Sequence, residues 1–328
     1  MNRLRMFWFL IITVVYNCKQ NDAINTSVTK TQSFQTILDS IYAENEDALG
    51  LMVYVEAPDM DISWSGVAGH SDKNGTDLKK GQPVLIASNT KTYVSTAILR
   101  LVEQGKLDLN QSIDSLVFEH TNSKLVTEGY DTGSIKVVNL LNHTSGIHDY
   151  AVTDEYMQMV KSDPLHHYTR DEQIDLAMHI GEPLGNPEDV FSYADVNYLL
   201  LTEIIEGITK EPFYAALRTL LDYNDLGLNH TWFSTLEEIP ESTPQMARQY
   251  WTSEGFDSFN IDHSFDLYGG GGIATTSRDL AVFCQKLFTG GIFETKSTLD
   301  LLYTPAEPKQ KMEGDYCLLY TSPSPRDA

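Results

Sequence analysis

The stretch LIASNTKTYVSTAILRLVEQGKLDL, residues 85–109, constrains this chain more than any other. An apolar, strand-like segment turns within a few residues into a strongly apolar helix, read from Ser88 to about Gly105, where a glycine closes it. Such a helix needs apolar partners on several sides. With 328 residues, 41% of them hydrophobic, the chain can bury it in one large domain or two closely joined ones.

The same stretch places Ser88 and Lys91 one helical turn apart. A serine hydroxyl is a poor nucleophile until something takes its proton, and a lysine does so only if burial or a neighbouring cation lowers its pKa. Positions i and i+3 share a helix face, so Lys91 can reach Ser88. The first turn adds the positive end of the helix dipole and free N–H groups, both helpful to an oxyanion forming there. The S-x-x-K pattern alone is weak, expected about once or twice by chance in a chain this long. Ser27 with Lys30 matches it too, in a polar stretch without a scaffold. The plain alternative for Ser88 is a helix-capping serine beside a solvated lysine.

A formal net charge of −23 repels phosphate backbones and anionic membrane surfaces, which argues against nucleic acid as a partner. The first residues, MNRLRMFWFLIITVVYNCKQND, have Arg3 and Arg5, an apolar run from Met6 to Val15 and then Cys18. That is the layout of an export signal, with a run shorter than the ~20 residues of a spanning helix. Val15-Tyr16-Asn17-Cys18 resembles a relaxed bacterial lipobox, which implies a lipid on Cys18; an ordinary cleaved signal or an uncleaved anchor are the alternatives. Residues 1–17 are read as the signal and 18–33 as a polar tether. Of the other cysteines, Cys284 lies in an apolar helical stripe and reads as a buried thiol. No cysteine and histidine cluster has zinc spacing, and no cofactor is implied.

Beyond the tether, a helix at FQTILDSIYAEN and two strands, LGLMVYVEA and DISWSGVAGHS, joined by a turn at Pro58 and Asp59, open the domain. Residues from about 106 to 265 read as mostly helical. LYGGGGIATTSRDLAVF then gives a glycine-rich turn and a helix capped by Thr or Ser.

A second element with chemistry is FSYADVNYLLLTEIIE, in which Tyr193 precedes an apolar helix. A tyrosine beside a lysine ammonium loses its proton more easily and can relay it to and from a serine. Tyrosine followed at i+2 by Asn or Asp is also weak alone, and Tyr223 with Asp225 matches it.

In order and context, SNTKTYVSTAILRLVEQGKLDLNQSI, LLNHTSGI, FSYADVNYLLLTEIIE and YGGGGIATTSRDLAVF resemble the serine beta-lactamase and penicillin-binding-protein superfamily, in its branch of class C beta-lactamases, D-Ala-D-Ala carboxypeptidases and esterases. The resemblance covers roughly residues 35–305. It implies an α/β fold of α+β type, an antiparallel sheet flanked by helices with a mostly helical subdomain, over residues 34–316. It also implies Ser88 as acylated nucleophile, Lys91 as its activating partner and Tyr193 as proton shuttle. The substrate would be a peptidoglycan-like peptide, a beta-lactam or an ester.

Two departures stand out. Where the family usually has an asparagine contacting the lysine and the substrate, this chain has Asp195. A carboxylate near Lys91 would raise the lysine's pKa and shift the base's work to Tyr193, but the sequence leaves open whether Asp195 turns toward Lys91 or away. His143 in LLNHTSGI reads as part of a structural turn. The family's His/Lys-Thr/Ser-Gly motif is not found after residue 272, while His179-Ile180-Gly181 and Lys79-Lys80-Gly81 stand before Tyr193, in the wrong order. The sequence therefore reads as lacking C-terminal strands, with residues 317–328 as a tail foreign to the domain. The main alternative to a hydrolase is a binding or sensor domain that acylates without turning over.

Overall fold

The computed structural model describes residues 27–45, 47–151, 153–252, 254–310, 315–316 and 321–322. Helix α1 (Ser27–Glu44) leads into an antiparallel hairpin, β1 (Gly50–Ala57) and β2 (Ile62–Gly69), paired from Gly50↔Gly69 to Ala57↔Ile62. The turn at Pro58–Met60 ends with Asp61 in the left-handed region, as a tight reversal requires. The helix starts seven residues ahead of FQTILDSIYAEN. Ser27–Ser33, read as part of the tether, is helical in backbone, because SVTKTQS contains neither glycine nor proline to stop a helix propagating back. Cys18 and the signal lie outside the described residues.

Strand β3 (Val84–Leu85) runs into helix α2 (Thr90–Glu103), whose residues Val94, Ala97, Ile98, Leu99 and Leu101 are fully buried. Gly105 closes it with φ +68, its N–H and that of Lys106 reaching back to the carbonyls of Val102 and Leu101. The helical region then comprises α3 (Glu119–Thr127), α4 (Val137–Leu141), α5 (Asp154–Ser162), α6 (Arg170–Ile180), α7 (Asp195–Thr209), α8 (Phe213–Leu220) and α9 (Tyr223–Leu226). Helix α7 is buried from Val196 to Ile205 and packs against α2, α4, α6 and α8. Each buried leucine or isoleucine there contributes about 1.5–3 kcal/mol. These two buried helices form the centre on which the site is built.

Short strands β4 (Trp232–Phe233), β5 (Tyr250–Trp251), β6 (Phe256–Asp257) and β7 (Ile273–Thr275) follow, then α10 (Ser277–Phe288) and α11 (Lys296–Leu301). Strand β7 lies between β3 and β4 in an antiparallel three-stranded sheet, with Leu85 and Trp232 both opposite Ala274. Gln249 extends that sheet beside β3: its side-chain amide donates to the Leu85 carbonyl at 2.9 Å and its oxygen accepts the Leu85 N–H at 2.8 Å. Thr276 caps α10 through the Asp279 N–H, and Cys284 on that helix is a free thiol that burial pushes up to about 11. Helix α10 packs on β1 and α1 on β2. Among the described residues the hairpin and the three-stranded sheet are separate ladders. Asp315–Tyr316 pairs with Thr321–Ser322 in a short antiparallel ladder; the rest of residues 317–328 lies outside the described residues.

Candidate active site

The site begins with a strained turn. Ala87 holds φ +45, a left-handed conformation unfavourable to a residue with a Cβ, and Ser88 follows it on a 3-10 turn, Ala87–Asn89, before α2 proper. The helix was expected from Ser88 itself; the kink at Ala87 delays regular α geometry to Thr90 and leaves Ser88 exposed. The surrounding structure holds this turn in place. Ile86 N–H donates to the Ile273 carbonyl at 3.0 Å, and Ile273 N–H donates to Thr90 Oγ1 at 3.2 Å, so β7 is tied to both sides of Ser88.

Lys91 projects from α2 with 4% of its surface exposed. Its Nζ donates to Ser88 Oγ at 3.2 Å, to Asp195 Oδ1 at 2.6 Å and to the Gly270 carbonyl at 2.6 Å, which uses all three of its hydrogens. Asp195 therefore turns toward the lysine. Burial pulls the Lys91 pKa down, but the neighbouring acidic groups, the Asp195 carboxylate first, outweigh it and hold the pKa above the usual lysine range. Lys91 is an ammonium in the resting site.

Tyr193 lies just before α7, its ring centroid 4.9 Å from Lys91 Nζ, and its hydroxyl interacts with Lys91 and Ser88. Burial, with Asp195 beside it, raises its pKa against the opposing pull of Lys91, so the phenol is neutral at rest.

The loop LLNHTSGI holds this tyrosine in place. His143 Nδ1 accepts the Ala194 N–H at 3.1 Å, its carbonyl accepts the Ser192 N–H at 3.0 Å, and its ring lies 4.4 Å from that of Tyr193. Burial and Lys91 depress the His143 pKa, which keeps the imidazole neutral. Its geometry is that of a structural residue. Ser145, in the same loop, donates to Asn197 Oδ1 at 2.7 Å.

Two further carboxylates reach this centre that sequence reasoning did not single out. Asp149 Oδ1 accepts the Asp195 N–H at 2.9 Å, while its Oδ2 is buried without a partner. Burial and the charge of Asp195 push the Asp149 pKa up to about 7. Asp266 lies beside the glycine run, and burial together with Asp195 pushes it up to about 6. Gly269 (φ +99) and Gly272 (φ +107) turn the run. A Cβ on Gly270 would come within 3.1 Å of Asp195, and one on Gly271 within 2.3 Å of Asp266. The run is glycine because two carboxylates rest on its backbone. Signals were present in the sequence: Asp149 stands two residues past LLNHTSGI and Asp266 shortly before GGGG.

The coincidental patterns fall elsewhere. Tyr223 is buried on α9 with the Arg218 guanidinium 5.2 Å over its ring. His179 and Ile180 end α6, followed by Gly181, and Lys79-Lys80-Gly81 stands in the turn before β3. Among the described residues no helix is long and apolar enough to cross a membrane.

The sequence profile described as Beta-lactamase matches residues 42–314. The chain belongs to the beta-lactamase family. It is 26% identical over 232 residues to a Bacillus subtilis protein provisionally named penicillin-binding protein PbpX, covering 70% of this chain and 52% of that one. A Salmonella gallinarum protein provisionally named D-alanyl-D-alanine carboxypeptidase is 28% identical over 229 residues, covering 63% and 51%. The chain thus spans about half the length of these curated relatives. Among solved structures, D-amino acid amidase from Ochrobactrum anthropi with L-phenylalanine superposes with a TM-score of 0.67 at 25% identity, over 83% of this chain and 73% of that one.

Proposed function

We propose that this beta-lactamase-family chain is a serine hydrolase that forms an acyl-enzyme on Ser88. The observation that carries the reading is Lys91 Nζ at 3.2 Å from Ser88 Oγ, with the Tyr193 hydroxyl against both. Because Lys91 is charged and tied to Asp195, it acts as an electrostatic partner and Tyr193 moves the proton. Ser88 Oγ attacks the carbonyl carbon while its proton passes to the Tyr193 oxygen and the phenol's own proton passes to the leaving nitrogen or oxygen. The carbonyl–leaving-group bond breaks and an ester to Ser88 forms. Water then cleaves that ester through the reverse relay, releasing the acid and restoring Ser88. Lys91 stabilises the negative charge that develops between Ser88 and Tyr193.

The acyl donors that this chemistry admits are an amide or peptide, a beta-lactam and an ester. Arg3, Arg5, the apolar run Met6–Val15 and Cys18 support export to the cell envelope with a lipid on Cys18. A fluorophosphonate probe tests the nucleophile: intact mass should show one adduct on the full chain and on Ser27→Ala, and none on Ser88→Ala. Equal labelling of Ser88→Ala would overturn the assignment. Labelling of the full chain with no turnover of any amide, beta-lactam or ester would instead favour the non-catalytic binding domain.

A further inference from the structure

The backbone around Tyr193 is held by one loop, and that loop ends in an acid. The Ser192 N–H donates to the His143 carbonyl at 3.0 Å, the Ala194 N–H to His143 Nδ1 at 3.1 Å and the Asp195 N–H to Asp149 Oδ1 at 2.9 Å. Ala194, at the cap position of α7, makes no side-chain cap of its own. Asp149 therefore supplies, from another part of the chain, an acceptor that the start of a helix needs.

For that contact alone an asparagine would serve as well. The carboxyl adds an oxygen that the fold leaves unused: Asp149 is 6% exposed, and its Oδ2 is buried with no hydrogen-bond partner among the described residues. Nothing neutralises a charge on that oxygen locally, so the charge acts on whatever lies nearby. The nearest links lead to the nucleophile. Asp195, whose N–H Asp149 holds, accepts Lys91 Nζ at 2.6 Å, and Lys91 Nζ donates to Ser88 Oγ at 3.2 Å.

The charged and titratable groups that reach Asp149 come from several elements. They are Asp195 on α7, Lys91 on α2 and, next in the chain, Tyr150, which also feels Asp195 and Asp266. Asp266 acts on Asp195 and Lys91 from the turn before the glycine run. His148, the preceding residue, has its ring against Gly181. Burial first, then the Asp195 charge, push the Asp149 pKa up to about 7, against the Asp195 and Ala151 N–H groups and Lys91. Lys91 is the one ammonium in this set, and Asp195 already cancels its charge. An ionised Asp149 leaves the group more negative, while attack by Ser88 builds further negative charge between Ser88 and Tyr193. Charge of the same sign at short range opposes that step.

We propose that Asp149 is a positioning residue with a switchable charge: its Oδ1 fixes the start of α7, and Tyr193 with it, while its ionisation behind the Asp195–Lys91 pair slows acylation of Ser88. This deepens the reading of Ser88 as the acylated residue and rests on it.

The test follows the rate of fluorophosphonate labelling by intact mass from about pH 5 to about pH 9 on the full chain, Asp149→Asn, Asp149→Ala and Asp266→Asn. Asp149→Asn keeps an acceptor and cannot ionise. Its rate relative to the full chain should rise by roughly 10-fold across that range, the scale of one pKa unit, with a midpoint near 7. Asp149→Ala loses the acceptor as well and should label more slowly than Asp149→Asn at every pH. Asp266→Asn should leave the midpoint near 7 in place. A ratio of Asp149→Asn to the full chain that does not vary with pH is what a purely structural cap would give, and it would overturn the switch. A folded Asp149→Ala as fast as Asp149→Asn would overturn the positioning role; if Asp149→Ala does not fold, the pH dependence of Asp149→Asn alone decides.

A second arm needs no nucleophile. In Ser88→Ala with carbon-13 in the aspartate carboxyls, the Asp195 signal, identified by its loss in Asp195→Asn, should shift with the ionisation of Asp149 and cease to do so on adding Asp149→Asn. That result supports the link between the two carboxylates even if no serine is labelled. An Asp195 signal indifferent to Asp149→Asn sinks the proposal even if Ser88 is labelled.

Discussion

Two acidic clusters in this molecule each surround one basic side chain, and they are finished differently. In the helical region Arg170 faces Glu203 and Glu206 of α7. Glu203, fully buried, accepts Thr121 Oγ1 at 2.8 Å on one oxygen and the Phe118 N–H at 3.1 Å on the other. Glu206 accepts Arg170 Nη2 at 2.5 Å and the Phe213 N–H at 3.0 Å. Every carboxylate oxygen there has a donor, so the cluster ties α3, α6, α7 and the start of α8 together. Around Lys91, by contrast, Asp149 Oδ2 is buried without a donor. A cluster in which every carboxylate oxygen has a donor is a structural joint, whereas an unpaired buried carboxyl oxygen marks the carboxylates near the exposed Ser88 as less completely satisfied.

The contrast separates activity from stability, and single substitutions can break it. The largest expected effect is that of Tyr193→Phe, which removes the hydroxyl that carries the Ser88 proton. The rate of Ser88 acylation should fall by about 10²- to 10⁴-fold with the urea midpoint little changed. A folded Tyr193→Phe that acylates at the normal rate would remove Tyr193 from the relay. Next is Glu203→Ala in the other cluster. It strips partners from Arg170, Thr121 and the Phe118 N–H, and should lower stability by about 3–5 kcal/mol in urea denaturation while the folded fraction keeps its labelling rate. If Glu203→Ala instead slowed labelling without loss of stability, the division into joint and reacting site would fail.

How far the sequence carried the reading follows from where each residue's partners lie. Ser88 and Lys91 are joined by one turn of helix, and Tyr193 and Asp195 by a short local pattern, so all four were legible. The orientation of Asp195 was not, because its side-chain partner, Lys91, and the Asp149 carboxylate that accepts its backbone N–H both come from other parts of the chain. Asp149 and Asp266 carry no local pattern of their own. They join the site only because α2, α7 and the glycine run converge in space. The 3-10 turn at Ser88 was hidden for a similar reason, since its strain at Ala87 is sustained by β7, far along the chain. The hairpin, the buried helices and the caps of α2 and α10 were readable from periodicity and glycine placement alone.

The smallest effect expected sharpens the comparison most, because it measures the unsatisfied charge directly. Asp149 ionises at about 7 in the fold, where burial and Asp195 disfavour its charge, against ~3.9 in an unfolded chain. The folded state therefore holds this proton where the unfolded state has released it. The associated stability is fully present below about pH 4 and is lost as pH rises to about 7. Asp149→Asn keeps an oxygen for the Asp195 N–H and removes the charge. Relative to the unaltered chain it should gain on the order of 2–4 kcal/mol between pH 4 and pH 8, read from paired urea midpoints. Glu203, whose burial also raises its pKa, has four donors and cations to oppose that shift. Glu203→Gln should accordingly gain far less over the same range. Equal slopes for the two variants would mean that the Asp149 carboxyl is as well satisfied in solution as that of Glu203.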